Sequence, residues 1–223
     1  MCIISSGIEQ LCKSDEDFKN LIAAGNDEII SLLNRYTDEI ETFNPAYGLV
    51  GTSDKKELII KHILDSLAPL GIISRLLKLR EPLCAKIADA GSGAGLPGIP
   101  LAIAAPKCDF TLIERMGRRA GFLMNTKAVL SLSNVSIEEK ELEKISGSFD
   151  LVTFRAFKPL EPKLLKTLFK ICAPGGKIAA YKGRREKIET EMAPLEADWE
   201  AIPYAVPFLD EERHLLVIHK NNS

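Results

Sequence analysis

Four glycines that follow a short apolar segment carry the most chemical information in this chain. The segment, residues 87–90, contains one acid, Asp89, and is followed by Gly91, Gly93, Gly95 and Gly98. A buried strand that turns through glycines into a helix places backbone N–H groups at a sheet edge, where a nucleotide-like ligand can approach closely. Glycine at this density therefore favours a ligand-binding loop over a strand–helix turn without a ligand.

Two cofactor motifs overlap in this loop. The last three of the four glycines match the dinucleotide pattern GxGxxG, which is weak evidence alone. Asp89 with the first three matches the first motif of S-adenosylmethionine-dependent methyltransferases. A pyrophosphate needs free N–H donors at a helix N-terminus, and Pro97 removes one there. A sulfonium cation instead suits a neighbouring acid, so the residues favour S-adenosylmethionine over a nicotinamide dinucleotide, which remains the alternative.

Three further features support the methyltransferase interpretation. Glu114 follows the segment DFTLI, where a carboxylate can accept both ribose hydroxyls, although nicotinamide enzymes also place an acid there. The phrase FDLV at 149–152 and the turn APGGKI at 173–178 resemble the fourth strand and the turn before the fifth strand in methyltransferases. Each feature alone is moderate evidence for a methyltransferase, and their order and spacing together are strong evidence.

The elements that must position these residues alternate in type. Strands are predicted at 87–90, 110–113, 135–137, 151–154, 178–181 and 215–219, and helices near 97–105, 117–131, 140–145 and 159–172. This alternation predicts an α/β fold with a mostly parallel sheet covered by helices. The segment 199–208 and the strand 215–219 predict a closing C-terminal hairpin at the sheet edge.

The first part of the chain shows a different pattern. Apolar residues recur at helical spacing from about Asp15, interrupted by the turn-rich stretch FNPAYGLVGTSDKK at 43–56, and Pro82 is expected to end this region. We therefore expect an N-terminal helical region at 1–83 and a methyltransferase domain at 84–223.

Composition limits the classes of protein. The net charge of −2 argues against general affinity for nucleic acid but allows a local basic patch. None of the five cysteines forms a CxxC pair, which favours a reduced compartment. We expect no membrane span, signal peptide, metal site or obligate protein partner, and therefore a cytoplasmic monomer.

A resemblance to one family covers the chain from about Leu32 to Lys220. The strings GSGAGLPGIPLAIAAP, FTLIERMGRR, FDLVTFRAF, YKG and ERHLLVI, together with HILDSL, closely resemble the glucose-inhibited division protein B family of small bacterial methyltransferases. The resemblance implies a Rossmann-like class I fold. It also implies that S-adenosyl-L-methionine is the cofactor and that N7 of one guanine in 16S ribosomal RNA, or in the small ribosomal subunit, is the substrate.

The resemblance and the loop motif together assign a cofactor site. The residues expected to bind the cofactor are Asp89, Gly91, Gly93, Leu96, Glu114, Leu142, Glu143 and Arg155. Where the family has an Asn-Leu-Thr phrase after a Lys, this chain has Gly48, Leu49 and Val50, with Pro45 in place of the Lys. We therefore carry over no substrate contact from this loop.

Catalysis is expected to depend on orientation and electrostatics, because guanine N7 already holds a lone pair and needs no general base. Arg155 and Lys182 are the candidate catalytic residues. Arg155 can donate to guanine O6 or to a phosphate, and the alternative is an ion pair with Asp150 or Glu143. For Lys182 the alternative is a solvated lysine at a strand end.

Substrate contacts are expected from Arg118, Arg119, Arg184 and His62. The arginines follow strands and together predict an RNA track at the ligand-binding edge, although for either run alone a solvated helix start is the commoner explanation. His62 shares a helix face with Asp65 and Ser66, which predicts a hydrogen-bonded seam between the two regions or a face leaning over the cofactor loop. A small-molecule methyltransferase and a non-catalytic RNA-binding module remain alternative functions.

Overall fold

Helices make up most of the described N-terminal part of the protein. The computed structural model describes residues 2–23, 25–77 and 85–220. The N-terminal helices are α1 (Ile3–Ser14), α2 (Glu16–Ile22), α3 (Asn26–Tyr47), α4 (Lys55–Leu58), a π-helical segment (Ile59–Leu64), α5 (Asp65–Leu67) and α6 (Leu70–Leu76). From α4 to α5 the helical backbone is continuous, and the π-helical segment presents Lys61 and His62.

Within the described residues, seven strands form one sheet in the order β3-β2-β1-β4-β5-β7-β6. They are β1 (Lys86–Ala90), β2 (Asp109–Ile113), β3 (Val135–Glu138), β4 (Phe149–Arg155), β5 (Cys172–Lys182), β6 (Asp198–Tyr204) and β7 (Arg213–His219). The first five strands are parallel, and β7 is antiparallel to both β5 and β6. The predicted parallel sheet with a closing hairpin is therefore confirmed. Ligands bind such sheets beyond the carboxyl ends of the strands, where the strand order reverses, which here lies between β1 and β4.

Two hydrophobic clusters cover the two faces of the sheet. Helices α7 (Gly98–Ala104) and α8 (Gly117–Val129) and the N-terminal helices share one cluster, in which Leu33 and Ile63 join Leu112 and Leu151. Helices α9 (Pro162–Ile171) and α10 (Arg185–Met192) pack on the other face. The N-terminal helices therefore complete the core of the sheet. The expected division into 1–83 and 84–223 stays a prediction, and its boundary, like Pro82, lies outside the described residues.

The structure differs from the predicted elements in several places. A helix already begins at Ile3, before the predicted start at Asp15, and α3 continues through Pro45 to Tyr47 where a turn was expected. Pro45 is exposed, so water can bind the carbonyl that its missing N–H leaves free. The helix ends because Gly48 adopts a φ of 58°, a left-handed conformation that favours glycine. The helix expected at 140–145 is a single 3-10 turn, Leu142–Lys144.

Tyr36 connects the N-terminal helices to the glycine loop. Its side chain is fully buried in α3, and its hydroxyl donates to the Ala94 carbonyl oxygen at 2.7 Å. A Cβ atom on Gly95, whose φ is 91°, would lie 3.2 Å from the same hydroxyl. The loop is therefore held from the helical side as well as from the sheet.

We predict that Tyr36→Phe lowers the free energy of unfolding by about 1–3 kcal/mol, because the buried Ala94 carbonyl loses its donor. Urea denaturation followed by circular dichroism measures this change. Tyr47→Phe is the matched control, since the Tyr47 side chain is only partly buried, and it should change stability by less than about 0.5 kcal/mol. Equal losses in the two variants would contradict the account.

Candidate active site

Asp89 fastens the glycine loop from beneath. It is the last residue but one of β1, with 1% of its surface exposed, and its Oδ2 accepts from the Ser92 hydroxyl and from the Gly98 N–H, the latter at 3.0 Å. Burial raises the pKa of Asp89 to about 6. Because the carboxylate already occupies the N–H group at the start of α7, a pyrophosphate would have to displace it and approach a buried acid. This arrangement disfavours the dinucleotide alternative.

Glu114 fastens the loop from the neighbouring strand. It follows β2 and is buried, and its Oε2 accepts from the Gly93 N–H while its Oε1 accepts from the Met116 N–H, both at 2.9 Å. A carboxylate oxygen has two lone pairs, so each oxygen retains one acceptor position. Glu114 can therefore hold the loop and also accept a pair of ligand hydroxyls.

A cavity of about 190 Å³, which we call the Glu114 cavity, lies beside this carboxylate. Its lining residues are Gly91, Ile113, Glu114, Arg115, Met116, Arg119, Lys140, Leu142, Ala156, Phe157 and Lys158. Of the expected cofactor residues, Gly91, Glu114 and Leu142 line it.

Other expected cofactor residues do not line the Glu114 cavity. Asp89, Gly93 and Leu96 belong to the buried support of the loop or to its backbone, and the Glu143 side chain is exposed. Sequence reasoning missed Lys140 and Phe157, which follow β3 and β4. The only signal for them was their place after a strand at the ligand-binding edge.

A second cavity of about 700 Å³, the Arg155 cavity, lies on the other side of β4. Its lining residues are Lys61, His62, Asp65, Phe154, Arg155, Ala156, Phe157, Lys158, Pro159, Tyr181, Lys182, Gly183, Glu191, Tyr204 and Arg213. The structure thus brings together three predicted residues, Arg155, Lys182 and His62. Aromatic walls and planar donors of this kind suit a flat, polar base.

Arg155 is held by the N-terminal helices. Its Nη1 donates to the Lys61 carbonyl oxygen at 2.9 Å and to Asp65 Oδ2 at 3.2 Å. The alternative prediction, an ion pair of Arg155 with Asp150 or Glu143, is wrong. Asp150 lies at the opposite end of β4, where it accepts from the Lys86 N–H at 2.8 Å.

Asp65 is the common partner of three elements. Besides Arg155 it accepts from the Tyr204 hydroxyl at 3.0 Å, and Arg213 Nε lies 3.5 Å from its Oδ1. Burial raises the pKa of Tyr204 well above its usual value, so the hydroxyl remains a donor. Sequence reasoning missed the roles of Tyr204 and Arg213, although Arg213 stands in the quoted ERHLLVI string.

His62 forms a seam between the N-terminal helices and β4. Its Nδ1 lies 2.7 Å from Arg155 Nη2. Burial, with the Arg155 charge adding to it, lowers the pKa of His62 to about 4. The neutral ring can therefore accept a hydrogen bond from the guanidinium. Of the two interpretations of this helix face, the hydrogen-bonded seam is confirmed, since His62 faces Arg155 and lines the Arg155 cavity.

Lys182 is ion-paired, so the alternative of a solvated strand-end lysine is wrong. Its Nζ lies 2.7 Å from Glu191 Oε2 and 5.9 Å from the centre of the Phe154 ring. Only 19% of each of the two paired side chains is exposed. Glu191 also accepts from the Leu160 N–H at 2.8 Å, so the same carboxylate fixes the segment that follows Arg155.

The predicted RNA-contacting arginines lie outside the Arg155 cavity. Arg118 and Arg119 donate to the Ala46 and Gly48 carbonyl oxygens at 3.4 and 3.2 Å, at the C-terminal end of α3. Cations there complement the helix dipole. Arg184 is exposed and lines a neighbouring depression next to Lys182. The RNA track itself stays a prediction.

Within 2–23, 25–77 and 85–220, no group of three or more His, Cys, Asp or Glu side chains is placed to hold a metal ion. The helices of the same ranges include none with the length and apolar character needed to cross a membrane.

We predict that His62 makes the protein lose stability as the pH falls from about 6.5 to about 4. In that window the unfolded chain binds a proton that the folded protein excludes, which costs at most about 3 kcal/mol. The raised pKa of Asp89 acts in the opposite direction. The test therefore compares urea unfolding of wild type and His62→Gln at several pH values. A difference between the two that does not change with pH would contradict the prediction.

The chain is similar over most of its length to one family of known proteins. The family model described as rRNA small subunit methyltransferase G matches residues 29–216. The ribosomal RNA small subunit methyltransferase G of Treponema denticola is 40% identical, with 87% of this chain and 88% of that protein covered. The protein of the same name from Xanthomonas campestris is 36% identical, with 85% and 86% covered.

Solved structures agree on the fold. A SAM-dependent methyltransferase from Aquifex aeolicus matches with a TM-score of 0.54 at 15% identity, covering 74% of this chain and 93% of that one. Magnesium protoporphyrin IX methyltransferase from Synechocystis matches with a TM-score of 0.55 at 15% identity, covering 83% and 97%. The predicted Rossmann-like class I methyltransferase fold is confirmed. With the family model and these relatives, the chain belongs to the rRNA small subunit methyltransferase G family.

Proposed function

We propose that this protein transfers the methyl group of S-adenosyl-L-methionine to N7 of one guanine in 16S ribosomal RNA. The observation that carries the proposal is the contact of two unlike cavities at the end of β4. One has a strand-end carboxylate beside a glycine loop, and the other has aromatic walls around a fixed guanidinium. The names of the relatives, which specify ribosomal RNA of the small subunit, support the choice of substrate.

The residues of the Glu114 cavity fit S-adenosylmethionine. The free lone pairs of Glu114 suit the two ribose hydroxyls, and the apolar side chains of Ile113 and Leu142 suit the adenine. Gly91, with a φ of 70°, lets the backbone approach the ligand. The carboxylates of Asp89 and Glu114 favour a sulfonium cation and disfavour a pyrophosphate.

The chemistry requires little from the protein beyond placement. When bound, S-adenosylmethionine supplies the methyl group: the N7 lone pair forms the new N–C bond as the S–C bond breaks, and that electron pair stays on sulfur. Arg155 and Lys182 are the residues that we place at the base. Arg155 keeps N–H groups beyond those used by Lys61, His62 and Asp65, which can donate to guanine O6. Because Arg155 is held from three sides, its donors are oriented before the base arrives.

The electrostatics of the Arg155 cavity suit the product. Methylation at N7 moves positive charge onto the purine, and an uncompensated cluster of cations would oppose it. Here two of the cations that line the cavity are paired with carboxylates, Arg155 with Asp65 and Lys182 with Glu191. The aromatic rings of Tyr181 and Tyr204 can stabilise the cationic base through their faces.

Longer-range contacts complete the proposal. Arg118, Arg119 and Arg184 would bind phosphates on either side of the target base, which gives a salt-dependent contribution to affinity. The protein would act as a cytoplasmic monomer on ribosomal RNA or on the small subunit. Recognition would depend on the folded shape of that RNA.

The direct test is transfer of labelled methyl from S-adenosylmethionine to unmethylated small ribosomal subunits, with the product nucleoside identified by mass spectrometry. We expect label in 7-methylguanosine at one position. Cofactor binding by calorimetry without transfer to rRNA or subunits would contradict the proposal, and would favour a small-molecule substrate or a non-catalytic role in RNA binding.

Glu114→Gln is predicted to weaken S-adenosylmethionine binding about 10- to 100-fold, because a charged acceptor of ligand hydroxyls becomes a neutral amide. Isothermal titration calorimetry measures this change. Glu186→Gln, on the exposed face of α10, is the matched control and should bind like wild type. An unchanged dissociation constant in Glu114→Gln would show that the Glu114 carboxylate does not bind the ribose.

A further inference from the structure

The Glu114 cavity and the Arg155 cavity share one wall. Ala156, Phe157 and Lys158 line both of them, and among the described residues no other lining residue is common to the two. Reacting atoms must approach to about 3–3.5 Å before a group can be transferred. Whatever is bound in one cavity must therefore reach the contents of the other across this wall.

The Phe157 ring forms most of the shared wall, and it packs against the glycine loop. A Cβ atom built on Gly91 would lie only 2.1 Å from Phe157 Cδ2, so the ring occupies the space directly over this glycine. The ring also packs edge-on to Phe154, with 6.4 Å between the ring centres. The Lys158 ammonium lies 5.3 Å from the Phe157 ring centre on the solvent side. In this position the ring is part of the wall that separates the two cavities.

The Glu114 cavity is small for the ligand proposed for it. Its volume of about 190 Å³ lies below the roughly 300–1,000 Å³ of pockets that enclose drug-sized ligands. Its fixed walls include the end of β2 and the glycine loop, which Asp89 and Glu114 hold by hydrogen bonds. On the side that faces the Arg155 cavity, movement of the Phe157 ring would enlarge it.

The segment that carries Phe157 is short, strained and anchored at both ends. Arg155 fixes it on the β4 side, and Glu191 holds the Leu160 N–H at 2.8 Å on the other. Between them Ala156 has a φ of 49°, a left-handed conformation that is unfavourable for a residue with a Cβ atom. Strained backbone of this kind is typical of switch positions.

We propose that Phe157 is a gate residue, whose ring leaves Gly91 when the cofactor binds and moves toward the Arg155 cavity, so that the two cavities join. The inference rests on the proposed function, because it needs a cofactor in one cavity and a base in the other. The state with the ring on Gly91 competes with the cofactor. The apparent affinity is therefore reduced by the fraction of molecules in that state.

The first test uses the sign of an affinity change. Phe157→Ala should bind S-adenosylmethionine several-fold more tightly than wild type in calorimetry, with Phe157→Leu between the two. Leu142→Ala is the matched control, since Leu142 lines the Glu114 cavity alone, and it should bind more weakly. If Phe157 is an ordinary wall, its truncation leaves affinity unchanged or weakens it, and either result overturns the proposal.

The second test reports on the ring directly. Trp199 is the one tryptophan of the chain, so Phe157→Trp in a Trp199→Phe background places a single fluorophore in the gate. S-adenosylmethionine without RNA should change its emission. Unchanged emission in a sample that calorimetry shows to be saturated overturns the gate. If the wild-type protein binds no S-adenosylmethionine, both the proposed function and the gate are wrong. If the wild-type protein binds the cofactor and transfers the methyl group, but neither test of Phe157 gives the expected change, only the gate is wrong.

Discussion

The buried carboxylate of Asp65 is the interaction on which the architecture of the site depends. It lies on the N-terminal helical side and receives Arg155 from β4, Tyr204 from β6 and Arg213 from β7. A buried charge is costly unless hydrogen bonds and opposite charges compensate it. The Asp65 charge is compensated only when the helix that carries it and strands β4, β6 and β7 are all in place. Packing of the helices on the sheet is therefore also what forms the Arg155 cavity.

A pair of buried carboxylates has a similar role on the cofactor side. Asp89 and Glu114 use their oxygens to hold N–H groups of the glycine loop, which shapes the loop before any ligand arrives. Glycine at position 91 then leaves room for either the Phe157 ring or a ligand. A rigid loop opposite one movable side chain gives a site that is preorganised and can still admit its cofactor.

The sequence predicted what depends on local pattern. The glycine loop, Glu114, the parallel strands and Arg155 at the end of β4 all follow from short motifs and from the rule that strand ends meet at one edge. The partner of Arg155 did not follow, because Asp65 is 90 residues away along the chain and meets it only through packing of the helices. For Lys182 the sequence left a solvated lysine as the alternative, because it did not show that α10 brings Glu191 back to the strand end. Phe157 was missed because an aromatic residue in a loop has no periodicity to reveal its role.

A double-mutant cycle tests whether Asp65 acts on methyl transfer through Arg155, whose guanidinium it accepts a hydrogen bond from. Asp65→Asn, Arg155→Gln and the double variant are compared by their kcat for methyl transfer to small subunits at saturating S-adenosylmethionine, after urea unfolding shows each to be folded. We predict that both single variants lose at least about tenfold and that the double variant is no slower than Arg155→Gln alone, because residues that act as a unit are not additive. Losses that multiply in the double variant would show that the two residues act independently, and would contradict the account.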